Sequence, residues 1–357
     1  MPDLLPDLFP QLLDVDMNIV ITGGAGFLGA RLAQRLLALG QLSLAGCTAE
    51  PVEIITLVDR VAPQPLLAAD ARVRVVVGDL NQLLEQNSPE AQVIRDQDAI
   101  IFHMAAAVSG ECEADFDLGM RSNLDATRAL LEQCRALKTS PTFVFASSLA
   151  VFGNSPEQPL PAVIDDRTLP TPQNSYGIQK FIGEQLVADY ARKGFIRARN
   201  VRLMTVSVRP GKPNGAASSF LSGMIREPLA GVRAACPVAP DTPVALSSPS
   251  RTINGLLRAA EASDAEWGAR TAINLPALKT TPAQMAEALK KLAGRGVADL
   301  IDWSPDPVIS KIVTSWPADI DAGRARELGL LPDGDYESII AEYSAENSLI
   351  QNRLPAQ

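Results

Sequence analysis

The chain is short of the residues that build metal and disulfide sites. Its 357 residues include four cysteines and one histidine, and the cysteines are far apart with no CxxC pair. Metal sites and disulfide frameworks need such residues in clusters. We therefore expect no metal cofactor, and we expect the cysteines to be small buried side chains.

Basic clusters and long apolar runs are also missing. The formal net charge is −9, and no block of lysine and arginine is interleaved with aromatic residues. An acidic surface repels nucleic-acid phosphates and anionic lipids, so the composition argues against nucleic-acid and membrane partners. No apolar run could span a bilayer, and residues 1–16 lack the basic start of a secretory signal. These absences predict a cytoplasmic protein.

The chain has the pattern of an α/β protein. Residues 1–16 are expected to be a loose N-terminal extension, because Met17 directly precedes the first strand-like run. Across 17–207, Val/Ile-rich runs alternate with helix-period segments, which predicts a Rossmann-type, doubly wound parallel sheet that binds a dinucleotide. The strands predicted in this domain cover residues 18–22, 53–58, 73–77, 98–103, 142–147 and 200–206.

The remaining segment, 208–350, is rich in proline and turns and predicts a smaller C-terminal lobe that binds substrate. One run within it, at 271–275, has the composition of a strand. We expect this strand to return to the main sheet, so that the two lobes are interleaved.

A glycine-rich run, TGGAGFLG at 22–29, follows the first strand. Glycines at such a turn let the chain bend sharply, let backbone N–H groups approach phosphate and let the next helix pack closely. The helix N-terminus also favours an anion. The run predicts a cradle for the pyrophosphate of a dinucleotide, with these cofactor-binding residues: Gly23, Gly26, Phe27, Leu28 and Gly29.

Residues at the next strand ends extend the predicted cofactor site. Asp59 ends a buried run, where a carboxylate can bind the adenosine ribose and repel a 2′-phosphate. This position favours NAD, although the adjacent Arg60 could tolerate NADP. Asp79 and Leu80 are predicted near the adenine, although Asp79 could equally be a solvated turn acid. Ala105 belongs to a run of small residues that leaves room for the cofactor.

The segment YGIQK predicts a catalytic pair. Tyr176 and Lys180 are four residues apart and therefore share one face of a helix. A free phenol is a weak base at neutral pH, so Lys180 is expected to lower the pKa of Tyr176. Ser148, at the end of a predicted strand, is expected to hold the substrate oxygen. The single histidine, His103, is expected to be structural.

These motifs together resemble the extended short-chain dehydrogenase/reductase family, also called the NAD-dependent epimerase/dehydratase family. The resemblance lies in residues 22–29, 147–153 and 176–180. One departure is Phe152, which stands where sugar-nucleotide members usually have tyrosine. We expect this change to remove a polar group from the edge of the site, which weakens the case for an epimerase.

The resemblance implies roles for particular residues. Ser148, Tyr176 and Lys180 would be the catalytic set. Tyr176 and Lys180 would also bind the cofactor, Lys180 through the nicotinamide ribose, and Asn123, on a helix near the site, would be a further cofactor-binding residue. It further implies a homodimer built on the helix after Asn123 and on the Tyr176 helix. The apolar residues that would allow this, or that could instead face the chain's own sheet, are Leu124, Leu131, Phe181 and Leu186.

Within the family, residues 107–111, 116–121 and 205–214 resemble a branch that oxidises D-erythronate, a four-carbon sugar acid, at its 2-hydroxyl. An anionic substrate in an acidic protein needs a basic partner. Arg209 is the first candidate because it follows a buried strand beside the site. Further basic candidates are Lys212, Arg226 and Arg251, and the predicted substrate-binding residues are Ser109, Ser148, Thr205 and Arg209.

Two other functions fit parts of this pattern. A sugar-nucleotide epimerase or dehydratase would keep NAD tightly bound, but the second lobe offers few aromatic residues to stack on a nucleobase. A non-catalytic dinucleotide sensor would need only the glycine-rich cradle. The joint presence of Ser148, Tyr176 and Lys180 argues against a sensor.

Overall fold

The structure is a computed structural model and describes residues 17–86, 92–211 and 215–351. The predicted extension at 1–16 and the candidate Lys212 lie outside the described residues. The strands are β1 (Met17–Thr22), β2 (Gln41–Ser43), β3 (Ala49–Asp59), β4 (Val73–Val77), β5 (Asp98–His103), β6 (Thr142–Ser148), β7 (Arg197–Leu203), β8 (Thr205–Val206), β9 (Ala234–Cys236), β10 (Val244–Ser247), β11 (Ile273–Asn274), β12 (Leu278–Thr280) and β13 (Ile301–Trp303).

Helices cover both faces of the sheet. A π-helical turn, Met120–Asp125, and a short 3-10 turn, Leu149–Val151, lie between regular elements. The α-helices are α1 (Phe27–Leu39), α2 (Pro65–Ala68), α3 (Leu80–Gln86), α4 (Ser109–Ala114), α5 (Phe116–Gly119), α6 (Ala126–Ala136), α7 (Ser175–Arg192), α8 (Ser219–Leu229), α9 (Pro249–Glu261), α10 (Asp264–Trp267), α11 (Pro282–Ala293), α12 (Arg295–Ala298), α13 (Pro307–Thr314), α14 (Gly323–Glu327) and α15 (Tyr336–Gln351).

The main sheet has the strand order of a doubly wound fold. Its parallel strands lie in the order β4, β3, β1, β5, β6, β7, β11, and β2 pairs antiparallel with β3. The direction of winding changes between β1 and β5, which is where open α/β sheets bind ligands. The predicted Rossmann-type α/β class is confirmed. β11 lies within the segment 271–275 and pairs with β7.

The core follows from the alternation of side chains along β1. Ile19 and Ile21 pack on the face covered by α1 and α9, whereas Val20 packs on the face covered by α6 and α7. Both faces are apolar because helices cover both sides of a parallel sheet. Leu131, a candidate for the dimer face, is buried in this second core, so it faces the chain's own sheet.

The predicted strand 200–206 is wrong as a single element. The chain leaves the main sheet at Met204, and β8 pairs with β10 in a separate sheet that also contains β12. β9 and β13 form a further two-stranded sheet. Because β8 crosses to the second lobe, the residues that follow it lie over the carboxyl edge of the main sheet. Along the described ranges, no helix is both long and apolar enough to cross a membrane.

Candidate active site

A cleft of about 580 Å³ opens at the carboxyl ends of β1, β3, β5 and β6. It extends from the glycine-rich loop to the second lobe, across the point where the winding changes direction. Of the predicted site residues, only Asn123 is not part of its wall. Those that line it are Gly23, Gly26, Phe27, Leu28, Gly29, Asp59, Asp79, Leu80, Ala105, Ser109, Ser148, Tyr176, Lys180, Thr205 and Arg209.

The glycine-rich loop has the shape of an anion cradle. Gly23 has φ +73°, and a Cβ on Gly29 would lie 2.1 Å from the Gly23 carbonyl oxygen. The loop and α1 therefore touch in a way that excludes any larger residue at Gly29. Gly26 stands at the N-terminus of α1 and caps it with no side chain, so backbone N–H groups face the cleft. This donor set fits the pyrophosphate of a dinucleotide.

Asp59 contacts this loop directly. Its Oδ2 accepts a hydrogen bond from the Ala25 N–H at 3.0 Å, and its Oδ1 accepts from the Val61 N–H at 3.4 Å. The carboxylate therefore holds the cradle and also lines the end of the cleft where the sequence predicts the adenosine. Arg60 lines the same end, so a cation is available where NADP would place its extra phosphate.

Asp79 has a structural contact of its own. Its Oδ1 accepts from the N–H groups of Asn81 and Gln82, at 3.1 and 3.4 Å, at the start of α3. The carboxylate therefore caps a helix while it lines the cleft. The hydrogen bonds of Asp79 are therefore those of an acid in a turn. Its contact with adenine stays a prediction.

Asn123 lies behind the wall of the cleft. Its Oδ1 accepts from the Ala107 N–H at 2.8 Å, and its Nδ2 donates to Gln179 Oε1 at 2.8 Å. The side chain is buried in the π-helical turn. The prediction that Asn123 contacts the cofactor therefore needs correction. It holds the loop after β5, whose small residues form the wall.

His103 is buried between two threonines. Its Nδ1 lies 2.7 Å from Thr22 Oγ1, and its Nε2 lies 2.9 Å from Thr127 Oγ1. Because the Thr127 hydroxyl already donates to the Asn123 carbonyl, His103 carries its proton on Nε2. Burial, with the charge of Lys180 as a smaller cause, lowers the pKa of His103 to about 3. The ring is neutral and structural, as expected.

The predicted catalytic residues come together at the ends of β6 and α7. The Tyr176 phenol lies against the side chain of Ser148, whose Oγ accepts from the Ala150 N–H at 3.1 Å. Lys180 Nζ donates to the Ala146 carbonyl at 2.8 Å and lies 5.8 Å from the centroid of the Tyr176 ring. The phenol and the ammonium thus share one wall, beside the serine.

The electrostatics of Tyr176 differ from the expectation. Burial raises the pKa of its phenol, while the hydrogen bond from Ser148 and the charge of Arg209 act in the opposite direction. Arg209 is thus a cation that acts on this phenol, an effect that the sequence did not indicate, while the effect of Lys180 on it stays a prediction. Burial lowers the pKa of Lys180 itself to about 8, because its ammonium is shielded from water.

Arg209 reaches the cleft from the second lobe. Its Nε donates to the Val206 carbonyl at 3.1 Å, and its Nη2 donates to Ser218 Oγ at 3.3 Å. Burial lowers the pKa of Arg209, the Tyr176 phenol opposes that shift, and no carboxylate of the described residues contributes. Arg209 is thus a cation next to the predicted base, with its charge not paired to any described acid.

Arg226 and Arg251, the other basic candidates among the described residues, do not line the cleft. Arg226 forms an ion pair with Glu227 and donates to the Arg209 carbonyl at 2.7 Å, so it holds the chain at Arg209. Arg251 is 4.0 Å from Asp333, outside the cleft.

Ser218 and Trp316 line the cleft and were not predicted. Ser218 could have been suspected from its closeness to Arg209 along the chain. Trp316 could not, because no local pattern indicates that a residue so distant in sequence reaches the site.

Phe152 also differs from the expectation. It is fully buried, and Arg202 lies over its ring at 4.8 Å from the centroid. It does not border the cleft. The expectation that it removes a polar group from the edge of the site is therefore wrong.

The fold, the dinucleotide cradle and the serine–tyrosine–lysine set define a nicotinamide-dependent dehydrogenase that acts on a CH–OH group. Residues 19–241 match the model of the NAD dependent epimerase/dehydratase family. The chain belongs to this family, and the resemblance seen in its motifs is confirmed.

Curated relatives cover nearly the whole chain. It is 50% identical to a D-erythronate dehydrogenase of Cupriavidus necator, over 93% of this chain and 99% of the relative. It is 39% identical to a D-erythronate dehydrogenase of Haemophilus influenzae, over 92% of this chain and 98% of the relative.

Solved structures show the same fold. A nucleoside-diphosphate-sugar epimerase from Agrobacterium tumefaciens superposes with a TM-score of 0.80 at 37% identity and covers 98% of both chains. An L-threonine 3-dehydrogenase from Trypanosoma brucei superposes with a TM-score of 0.78 at 23% identity, over 95% of this chain and 99% of that one.

Proposed function

We propose that the protein uses NAD to oxidise the 2-hydroxyl of a small sugar acid, D-erythronate, to 2-dehydro-D-erythronate. The observation that carries the proposal is Arg209. A guanidinium that is not paired with any described acid lies beside Tyr176, in the cleft of a chain with net charge −9. A carboxylate next to the reacting hydroxyl would supply its missing partner through charge-assisted hydrogen bonds.

The residues near Arg209 complete a site for the alcohol. Ser148 would donate to and orient the 2-hydroxyl, and Tyr176 would remove its proton. Ser218, which holds Arg209 in place, and Ser109 and Thr205, which line the same end of the cleft, would face the remaining hydroxyls of the acid. These roles need a short, polar substrate, in agreement with a four-carbon acid.

The cofactor would lie along the rest of the cleft. The N-terminus of α1 would hold its pyrophosphate, Asp59 its adenosine ribose and Lys180 its nicotinamide ribose. When bound, nicotinamide supplies the acceptor for the hydride that leaves the carbon bearing the hydroxyl. Asp59 favours NAD because its carboxylate would repel a 2′-phosphate, while Arg60 leaves weaker use of NADP open.

The relatives agree with this proposal. Two proteins named D-erythronate dehydrogenase match 93% and 92% of this chain at 50% and 39% identity. The chemistry of the cleft, with a tyrosine and an arginine at one end and a dinucleotide cradle at the other, is what such an activity requires.

The test is a steady-state assay with purified protein, free NAD and D-erythronate. NADH should accumulate, as followed by absorbance, and Tyr176→Phe should lose almost all activity while it keeps its affinity for NADH by fluorescence titration. D-Threonate, which differs at one stereocentre, serves as the comparison substrate. Absence of NADH formation with every four-carbon sugar acid would contradict the proposal.

A sugar-nucleotide epimerase is the second candidate. It is favoured by the likeness to the Agrobacterium tumefaciens structure, which is that of a protein named nucleoside-diphosphate-sugar epimerase. An epimerase keeps its cofactor through each cycle, so NAD would remain with the purified protein, and a UDP-sugar would be converted without net NADH. Loss of NAD on gel filtration, together with inert UDP-sugars, would exclude it.

A further inference from the structure

Helix α7 contacts the end of β6 through three side chains spaced one turn apart. These residues, at positions i, i+4 and i+8, lie on one face of the helix. Their partners are three consecutive residues of β6. Tyr176 lies against Ser148, Lys180 Nζ donates to the Ala146 carbonyl at 2.8 Å, and Glu184 Oε1 accepts from Ser147 Oγ at 2.5 Å.

Glu184 is the least expected of the three. Its carboxylate is 1% exposed and accepts two hydrogen bonds from Arg202, one from Nε at 2.9 Å and one from Nη2 at 2.8 Å. Ser147 and Arg202 are paired neighbours on β6 and β7, so both point at the same carboxylate. A charge buried to this degree is tolerated only while its partner and its remaining hydrogen bonds are in place.

The geometry makes Glu184 the residue that prevents α7 from sliding along the sheet. Two glycines set how closely the helix approaches: a Cβ on Gly177 would lie 2.1 Å from the Ala150 carbonyl, and one on Gly183 would lie 2.6 Å from the Phe145 ring. Apolar contact of this kind is not directional. A shift of one helical turn would leave the carboxylate of Glu184 without Arg202. In the observed register, the carboxylate and the guanidinium are hydrogen-bonded to each other.

Glu184 also acts on the charge of Lys180, one turn away. Burial disfavours the ammonium of Lys180, and Cys112 and, after it, the carboxylate of Glu184 favour it. The other titratable groups that act on this ammonium or lie against it are His103, Cys112 and Tyr176. His103 is neutral, and burial raises the pKa of the Cys112 thiol, so at neutral pH Glu184 carries the negative charge among these groups.

We propose that Glu184 is a positioning residue, which holds α7 in register with β6 and provides the counter-charge of Lys180. The inference rests on the proposed function for its effect on turnover, since it assumes that Tyr176 and Lys180 act on the substrate. Its effect on Lys180 can be measured without any turnover.

The first test compares Glu184→Gln with the natural protein. Glutamine keeps the size of the side chain and an acceptor for Ser147 but removes the charge. The rate at which acetic anhydride acetylates Lys180 is followed against pH by mass spectrometry, which reports the fraction of free amine. In Glu184→Gln, the pH midpoint of Lys180 acetylation should fall by about one pH unit. An unchanged midpoint would mean that Glu184 is not the counter-charge of Lys180.

Arg199→Met is the matched control. Arg199 is a similarly buried arginine on the same strand, but it binds Asp264 and carbonyls near the end of α9 instead of α7. It should lower thermal stability without moving the Lys180 midpoint. If Glu184→Gln does not fold, the double variant Glu184→Gln with Arg202→Met is compared with Arg202→Met alone, so that the two proteins differ only in the carboxylate, and the midpoint should be lower in the double variant. Equal midpoints in the double variant and in Arg202→Met would contradict the role of Glu184 as the counter-charge.

The second test separates register from charge. Glu184→Asp keeps the charge but is too short to reach Ser147 and Arg202 together. Its kcat should fall about tenfold or more while KM for NAD and the Lys180 midpoint stay close to natural values. If Glu184→Asp has the same kcat as the natural protein, Glu184 does not hold α7 in register with β6. If the natural protein oxidises no sugar acid, the proposed function fails, and the acetylation midpoints still decide whether Glu184 sets the charge of Lys180.

Discussion

Arg209 illustrates how one residue can combine two functions. It follows β8, which has left the main sheet, and its guanidinium is held by the Val206 carbonyl and Ser218. From this position it acts on the phenol of Tyr176 and is available to a substrate carboxylate. A cation so placed opposes the rise in pKa that burial gives the proposed base, and under the proposed function it would favour acids over neutral sugars as substrates.

Replacing Arg209 should therefore affect the acid far more than the dinucleotide. For Arg209→Met we expect KM for D-erythronate to rise on the order of 30-fold, because a charge-assisted pair is lost, while KM for NAD stays within about twofold. Steady-state kinetics with each substrate varied in turn would measure both. Arg251→Met, an arginine outside the cleft, is the control, and an unchanged KM for the acid in Arg209→Met would contradict this role.

His103 should make the folded state sensitive to acid. Its pKa is about 3 in the folded protein against an ordinary 6.5, so between these values the unfolded chain binds a proton that the folded chain does not. Stability therefore rises with pH across this window. It is complete above about pH 6.5 and falls by about 1.4 kcal/mol per pH unit as the pH decreases below it.

Urea unfolding at pH 7.5 and pH 5.5 would test this in the natural protein and in His103→Gln. Because the chain has one histidine, the difference between the two proteins isolates its contribution from that of the carboxylates. The natural protein should lose about 1 kcal/mol more than the variant over this interval. Equal losses would show that His103 titrates normally in the folded state.

At the scale of elements, α7 depends on close approach to the 3-10 turn after β6. A Cβ on Gly177 would overlap the Ala150 carbonyl, two residues beyond Ser148. Gly177→Ala should therefore displace the helix, lower the free energy of unfolding by about 2 kcal/mol and reduce kcat. Gly296→Ala in α12, where a Cβ meets open space, should change the free energy of unfolding by less than about 0.5 kcal/mol.

Thermal and urea unfolding of both glycine variants would measure the effect on stability, and kcat would show whether Ser148 and Tyr176 have moved apart. A Gly177→Ala protein with natural stability and activity would mean that the helix is free to shift. That result would also weaken the case for a fixed register between α7 and β6.

The elements that could be predicted from sequence are those with strong local patterns. The buried parallel strands are continuous apolar runs, and the cradle and the tyrosine–lysine pair are local motifs, so their places in the chain follow from the residues themselves. β9, β12 and β13 are three residues long, too short for periodicity to indicate them. The sequence also did not indicate that the strand ends at Leu203. Thr205 and Val206 continue the strand-like composition of β7, although they pair with a different sheet.

Side-chain partners that are distant in sequence were the other limit. Asn123 and Phe152 were placed at the site by analogy, and both are buried behind it because their contacts come from elements that no local pattern joins. Glu184 is the converse case, a residue beside the site that the sequence did not indicate. Its partner Arg202 is on another element, so its part in the site could be seen only once helix and strand were brought together.

At the scale of the whole molecule, the two lobes meet at the substrate end of the cleft. A Cβ on Gly110 would lie 2.1 Å from the Gly215 carbonyl, and the Ala217 N–H donates to Ser109 Oγ at 3.3 Å. These contacts join α4 of the first lobe to the chain that leads from Arg209 to α8. The position of Arg209 relative to Tyr176 is thus set by contacts between the lobes.

The outer face of α7 leads to a prediction about assembly. Ile178 and Ile182 are one helical turn apart and 45% and 38% exposed, on the helix that carries Tyr176 and Lys180. Of the apolar residues first considered for a dimer, Leu131 is buried in the chain's own core and Phe181 and Leu186 pack against neighbouring buried clusters. The exposed isoleucines are therefore the better candidates for a contact between two copies.

We expect the natural protein to be a dimer in solution and the double variant Ile178→Glu, Ile182→Glu to be a monomer, because four buried charges would face each other across a symmetric contact. Light scattering coupled to gel filtration would measure both masses at micromolar concentration. Val308→Glu, a charge placed on an exposed apolar residue of α13, should leave the mass unchanged. If the contact also steadies α7 against β6, the monomer should retain its affinity for NADH and lose part of its kcat. A natural protein that is monomeric, or a double variant that stays dimeric, would exclude this face.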